Sequence, residues 1–158
     1  MEKNSMQILI QSLEKKLQIL DKLIEQNSIQ EDILKQEEFD MDAFDAAIDV
    51  QAKLVEELDK LDNGFETLYE RLREEVLQHK ELYHNEISKM QSLIQQITDK
   101  VVVINTSNMR NKMLAENQFK KARQAISQNV SKSKVARNYY NSMNKLNCVA
   151  PQFYDSKK

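Results

Sequence analysis

The chain has 158 residues, 30% of them charged, with one Gly, one Pro, one Cys and no Trp. So few turn formers exclude a sheet with many tight turns, a single glycine excludes a glycine-rich phosphate loop, and a single cysteine (Cys148) excludes an intrachain disulfide. The net charge of -2 hides a split: residues 1–99 carry 11 Lys+Arg against 23 Asp+Glu, whereas residues 100–158 carry 12 against two, Glu116 and Asp155.

The first ten residues, MEKNSMQILI, lack the basic region and apolar run of a secretory leader. The longest apolar run, Val101–Ile104, is far too short to span a bilayer. The expectation is a cytoplasmic protein. A first helix is predicted from Asn4 or Ser5 to about Leu34. Asn4 and Gln7 have capping-box spacing, and Met6, Ile10, Leu13, Leu17, Leu20 and Ile24 form a seam in steps of four and three. Leu9 and Leu23 widen that seam toward a bundle face.

The acid-rich stretch KQEEFDMDAFD then breaks the phase. Counted from Asp40, the sixth and twelfth residues are Asp45 and Gln51, not the Gly and Glu of an EF-hand loop. Asp40 or Asp42 instead reads as the cap of a second helix, with Phe39 and Phe44 placed for a hydrophobic staple. That helix continues through Phe44, Ala47, Gln51, Leu54, Leu58, Leu61, Phe65, Leu68 and Leu72. The pair Asn63-Gly64, normally a turn signal, lies inside it without a slip of phase, as a weak point where a neighbouring backbone has room to approach; a chain reversal at Gly64 is the alternative. A reversal is predicted within Leu77–Asn85. His79 and His84, five residues apart, lack the spacing of metal ligands on one helical face.

The third helix has its seam at Tyr83, Ile87, Met90, Ile94, Ile97, Val101 and Ile104, then Asn108, Asn111, Ala115, Phe119, Ala122, Ile126 and Val130. The two asparagines either fix register as buried seam residues or mark where the seam leaves the bundle. By length, the helix outruns its partners after about residue 115. In the tail, Val135, Tyr139, Met143 and Leu146 share one face, and Pro151 disfavours helix at Ala150. The predicted fold is all-α. It is an elongated antiparallel bundle of three long helices at about 5–34, 42–76 and 82–130, within residues 1–130. The third helix overhangs, and a tail follows over 131–158, with a short amphipathic helix at 134–146 and then an extended or disordered end.

No catalytic set, cofactor site or metal site can be assembled, so an enzyme is not expected. Arg110, Lys112, Lys120, Lys121, Arg123, Lys132, Lys134 and Arg137 raise nucleic acid as a partner, with Tyr139 and Tyr140 as stacking groups. The acidic body weighs against a polyanion, and no nucleic-acid-binding motif is present.

Three stretches carry a resemblance: "DAAIDVQAKLVEELDKLDNGFETLYERL", the Asn-rich "NMRNK", and the ending "VARNYYNSMNKLNCVAPQF". Together they resemble the flagellar type III export chaperones of the FlgN type, in the version of clostridia-like Gram-positive bacteria. The resemblance implies a cytoplasmic chaperone that binds hook-associated (hook–filament junction) proteins, prevents their premature assembly and delivers them to the export apparatus, with export-gate components as further partners. The client's amphipathic C-terminal helix would dock on the C-terminal part of the chain. The implied contacts are Asn108, Met109, Asn111, Met113, Phe119, Ile126 and Val130, with Tyr139, Tyr140 and Met143 behind them. Methionine suits such a surface because its unbranched thioether adapts to differing shapes. The competing uses of the same seam are a structural coiled coil that self-associates, for example as a homodimer, and an RNA-binding bundle. The tail would either grip the client or cover the empty site.

Overall fold

The computed structural model describes residues 2–128 and 141–142. Three helices order the chain: α1 (Glu2–Leu34), α2 (Met41–Gln78) and α3 (His84–Gln128), with no strand among the described residues. At 1.5 Å per residue they measure roughly 50, 57 and 68 Å. They pack as an antiparallel up-down-up bundle in which α1 lies against both other helices. Cross-links set the directions. Lys16 meets Asp62 and Gln30 meets Gln51, so α2 runs against α1. Lys100 meets Asp21, Asn108 meets Asn27, and Gln118 meets the Leu34 carbonyl, so α3 runs along α1, 79 to 84 residues later in the chain.

Both reversals have local causes. Asp40 caps α2: it is extended, and its carboxylate accepts from the Ala43 N–H at 3.0 Å. Phe39 and Phe44 close the staple with ring centroids 5.6 Å apart. Asp42 sits in the first turn, where the helix dipole favours negative charge. Between α2 and α3, the His79 carbonyl accepts from Leu82 and Tyr83, and Tyr83 is buried over the start of α3.

The core comes in two parts. The larger contains Met6, Leu9, Ile10, Leu20, Leu23, Leu58, Leu72, Met90, Ile97, Val101 and Ile104. The smaller, near the α1–α2 turn, contains Leu34, Phe44, Ile48, Ala115 and Phe119. The seam of α3 differs from the prediction at one point: Leu93 is buried and Ile94 is exposed. Steps of three then four, or four then three, both lead from Met90 to Ile97, and the pattern alone does not order them. The end of the cover also moves. Gln118 and Phe119 are still buried, because the α1–α2 turn and Phe44 extend the cover beyond residue 115. The overhang starts after Phe119 and runs about 13 Å to Gln128. The predicted tail helix lies outside the described residues except for Asn141 and Ser142, which are helical.

A buried charge was not foreseen. Lys16 lies between α1 and α2 with its ammonium 2.8 Å from Asp62. Nearby, half-buried Asp59 has its carboxyl raised above the usual aspartate range, first by desolvation and then by the Asp62 carboxylate. A raised carboxyl binds its proton more tightly in the folded state, so its charged form opposes folding. That penalty is absent below the unfolded value and complete above the folded one. Asp59→Asn should therefore raise the denaturation midpoint at pH 7 and leave it nearly unchanged at pH 3. Equal shifts at both would rule out an electrostatic origin.

At Gly64 α2 is continuous, and a Cβ added there would meet nothing within 4 Å. The expected close approach of a neighbouring backbone is thus absent, and the glycine only loosens the helix. Gly64→Ala should stabilise the protein by about 1 kcal/mol, a rise in Tm of about 3 °C by calorimetry.

Candidate partner-binding surface on α3

The residues singled out on α3 separate into two sets facing opposite ways. Asn108, Asn111 and Phe119 point into the bundle and are buried. They are intramolecular contacts, which corrects their placement on a partner surface. Phe119 meets Phe44 edge-on at 6.5 Å. Asn108 and Asn111 belong to an amide layer between the two apolar cores. Asn27 donates to Ser107 at 2.8 Å and to Asn108 at 2.9 Å, and accepts from Gln51 at 2.9 Å. Gln51 in turn accepts from Gln30 at 3.1 Å, and Asn111 donates to the Asn27 carbonyl at 2.9 Å. One turn beyond Ala115, Gln118 donates to the carbonyls of Leu34 and Gln36. It thereby satisfies the Leu34 carbonyl, which the end of α1 leaves without a helical partner, and a carbonyl of the following turn.

Satisfaction within the layer is incomplete. Gln30 Oε1, Asn108 Nδ2 and Asn111 Oδ1 are buried with no hydrogen-bond partner among the described residues. Such groups cost stability, so the layer is there at the expense of a purely apolar seam.

The other set faces outward. Met109 and Met113 are each 70% exposed, one turn apart. Val102, at 57% exposure and seven residues before Met109, continues the same stripe. Val102 was missed by the sequence reading. The signal was available, because it lies opposite the buried seam in phase with Met109 and Met113. Ile126 is half-buried on the overhang. Val130, Tyr139, Tyr140 and Met143 lie outside the described residues.

Positive charge predominates around the stripe, with Glu116, one turn beyond Met113, the one acid on α3 after Asp99. Lys112, Lys120, Lys121 and Arg123 are exposed and have no carboxylate partner among the described residues. Arg110 reaches Glu31 at 3.4 Å. The Lys35 ammonium bonded to Glu31 holds that carboxyl below its usual range, and Arg110 adds to the effect. Met113 and Leu114, with Arg110, Glu116, Asn117, Lys120 and Arg123, line a concavity of ≈ 730 Å³. Chemically this surface can take apolar side chains at its centre and acidic groups around them.

No cluster of three His, Cys, Asp or Glu side chains suited to a metal occurs among the described residues, and none of their helices is long and apolar enough to cross a membrane. Comparison with protein-family models, with curated proteins and with solved structures returned no match.

Replacing Gln51 tests the amide layer. Gln51→Leu leaves the Gln30 amide and Asn27 Oδ1 without their partner, and should cost about 1–3 kcal/mol in urea unfolding. Replacing Asn27, Gln30, Gln51 and Asn108 together by Leu should recover most of that loss, because the unpaired groups go together. It should also broaden the NMR spectrum, because the apolar seam no longer selects one register.

Proposed function

We propose that the protein is a non-enzymatic binding protein, a cytoplasmic flagellar export chaperone. It would hold the amphipathic C-terminal helix of a hook-associated protein on the outer face of α3, prevent its premature assembly and pass it to the type III export apparatus. The observation that carries this reading is the pairing of Met109 and Met113, each 70% exposed, with Lys112, Lys120 and Arg123, which have no carboxylate partner among the described residues. An apolar stripe with a basic border matches an amphipathic helix with acidic flanks, and laying such a helix along another uses only side-chain packing. Two adjacent methionines allow several client shapes to be accepted. The resemblance in "NMRNK" falls on this same turn and supplies the flagellar context.

The contact set differs from the one implied by the resemblance alone. It centres on Val102, Met109 and Met113, while Asn108, Asn111 and Phe119 serve by holding α3 to the bundle. Burying both methionines would contribute on the order of 3–5 kcal/mol to a complex before ordering costs.

The test uses the full chain and a peptide spanning the C-terminal helix of a hook-associated protein. Met109→Glu with Met113→Glu should weaken binding at least about tenfold by calorimetry, with the thermal melt unchanged because both side chains are exposed. Unchanged affinity would sink this placement of the site. Loss of self-association in the double variant, with no peptide binding in either protein, would favour the self-associating coiled coil instead.

A further inference from the structure

Of the two described tail residues, Asn141 and Ser142, it is Ser142 whose side chain meets the bundle. Its hydroxyl donates to Asp45 Oδ1 across 97 residues of chain, and it is fully buried, at 0% exposure. Asn141 beside it is exposed, so this turn presents one face to the bundle. A buried hydroxyl costs free energy unless it is bonded, and a carboxylate acceptor makes a charge-assisted bond.

Among the described residues no other hydrogen bond or ion pair engages the carboxylate it uses. Asp40 caps α2 and Asp42 lies in its first turn. Asp45 and Asp49 come later, four residues apart and therefore on one face, where neither cap nor dipole accounts for them. Asp49 is engaged as well.

Reach and charge agree with an intramolecular contact. Phe44, next to Asp45, touches Phe119, nine residues before the end of α3. The return distance is thus about 13 Å along the helix axis. The 13 residues from Gln128 to Asn141 can span up to about 43 Å. Residues 129–158 carry Lys132, Lys134, Arg137, Lys145, Lys157 and Lys158 against one acid, Asp155. The face they would meet carries Asp42, Asp45 and Asp49.

We propose that the acidic first turns of α2 are a docking surface for the chain's own basic C-terminal segment, latched by Ser142 on Asp45. The latch holds that segment on α2 and leaves the Met109–Met113 face of α3 to a partner. It does not depend on the identity of any client.

The single cysteine gives a direct test, because Cys148 lies six residues beyond Ser142. A nitroxide on Cys148 in the full chain should broaden the backbone amides of residues 42–49. Ser142→Glu, which leaves the bundle sequence untouched, should remove most of that broadening by setting a carboxylate against Asp45. The same variant should speed tryptic cleavage at Lys132, Lys134 and Arg137 by about tenfold, the scale of one hydrogen bond to a charged group. No broadening in the parent protein would overturn the proposal, as would broadening and cleavage that Ser142→Glu leaves unchanged. So would broadening transferred from spin-labelled, isotopically unlabelled protein to isotopically labelled, nitroxide-free protein in a mixed sample, since the contact would then be between molecules.

Discussion

The amide layer centred on Asn27 and Gln51 sets the arrangement of the bundle. An apolar seam on three long helices is nearly indifferent to sliding by a turn, because one leucine replaces another in the same groove. The amides are not indifferent. Asn27 engages Ser107, Asn108 and Gln51 together, and each of these bonds requires one axial alignment of α1, α2 and α3. A slip by one turn would leave several buried polar groups unpaired at once. The layer therefore opposes register errors at a cost in stability, visible in the atoms it leaves unpaired.

The outer surface of α3 follows from that alignment. With Asn108 and Asn111 turned inward, Met109 and Met113 must face solvent, about a third to half a turn away on the same helix. Gln118 and Phe119 then secure α3 to the end of α1 and the start of α2, just before the overhang begins. The same alignment lays the basic half of α3 along the acid-rich second half of α1, where Lys100 finds Asp21 and Arg110 finds Glu31. Part of the charge split in the sequence is thus neutralised inside the molecule. What remains exposed is the outward basic set at Lys112, Lys120, Lys121 and Arg123.

Most of the fold was legible because long helices announce themselves by period and by the scarcity of breakers. The Asp40 cap and the Phe39–Phe44 staple were readable from spacing alone, since both are local motifs. Continuity through Gly64 was readable because the apolar phase did not slip. The site was less legible. Phe119 looked like an exposed anchor because helix lengths placed the end of cover near residue 115, and length arithmetic does not include the cover added by a turn. Val102 was passed over because an apolar residue beside a buried valine reads as part of the same run.

The sequence by itself determined the helical class, the two reversals, the Asp40 cap and the opposition of an acidic body to a basic end, whereas Asn4, read as a cap, lies inside α1. These depend on neighbours within a few residues or on composition. Only the tertiary structure decided which asparagines are spent inside, which methionines are left outside, that Lys16 is paired across helices with Asp62, and that Ser142 meets Asp45. Those outcomes depend on the rotation and axial offset of one helix against another. A repeat of three and four residues leaves both nearly degenerate, and the degeneracy is lifted only when specific polar groups from distant parts of the chain have to meet.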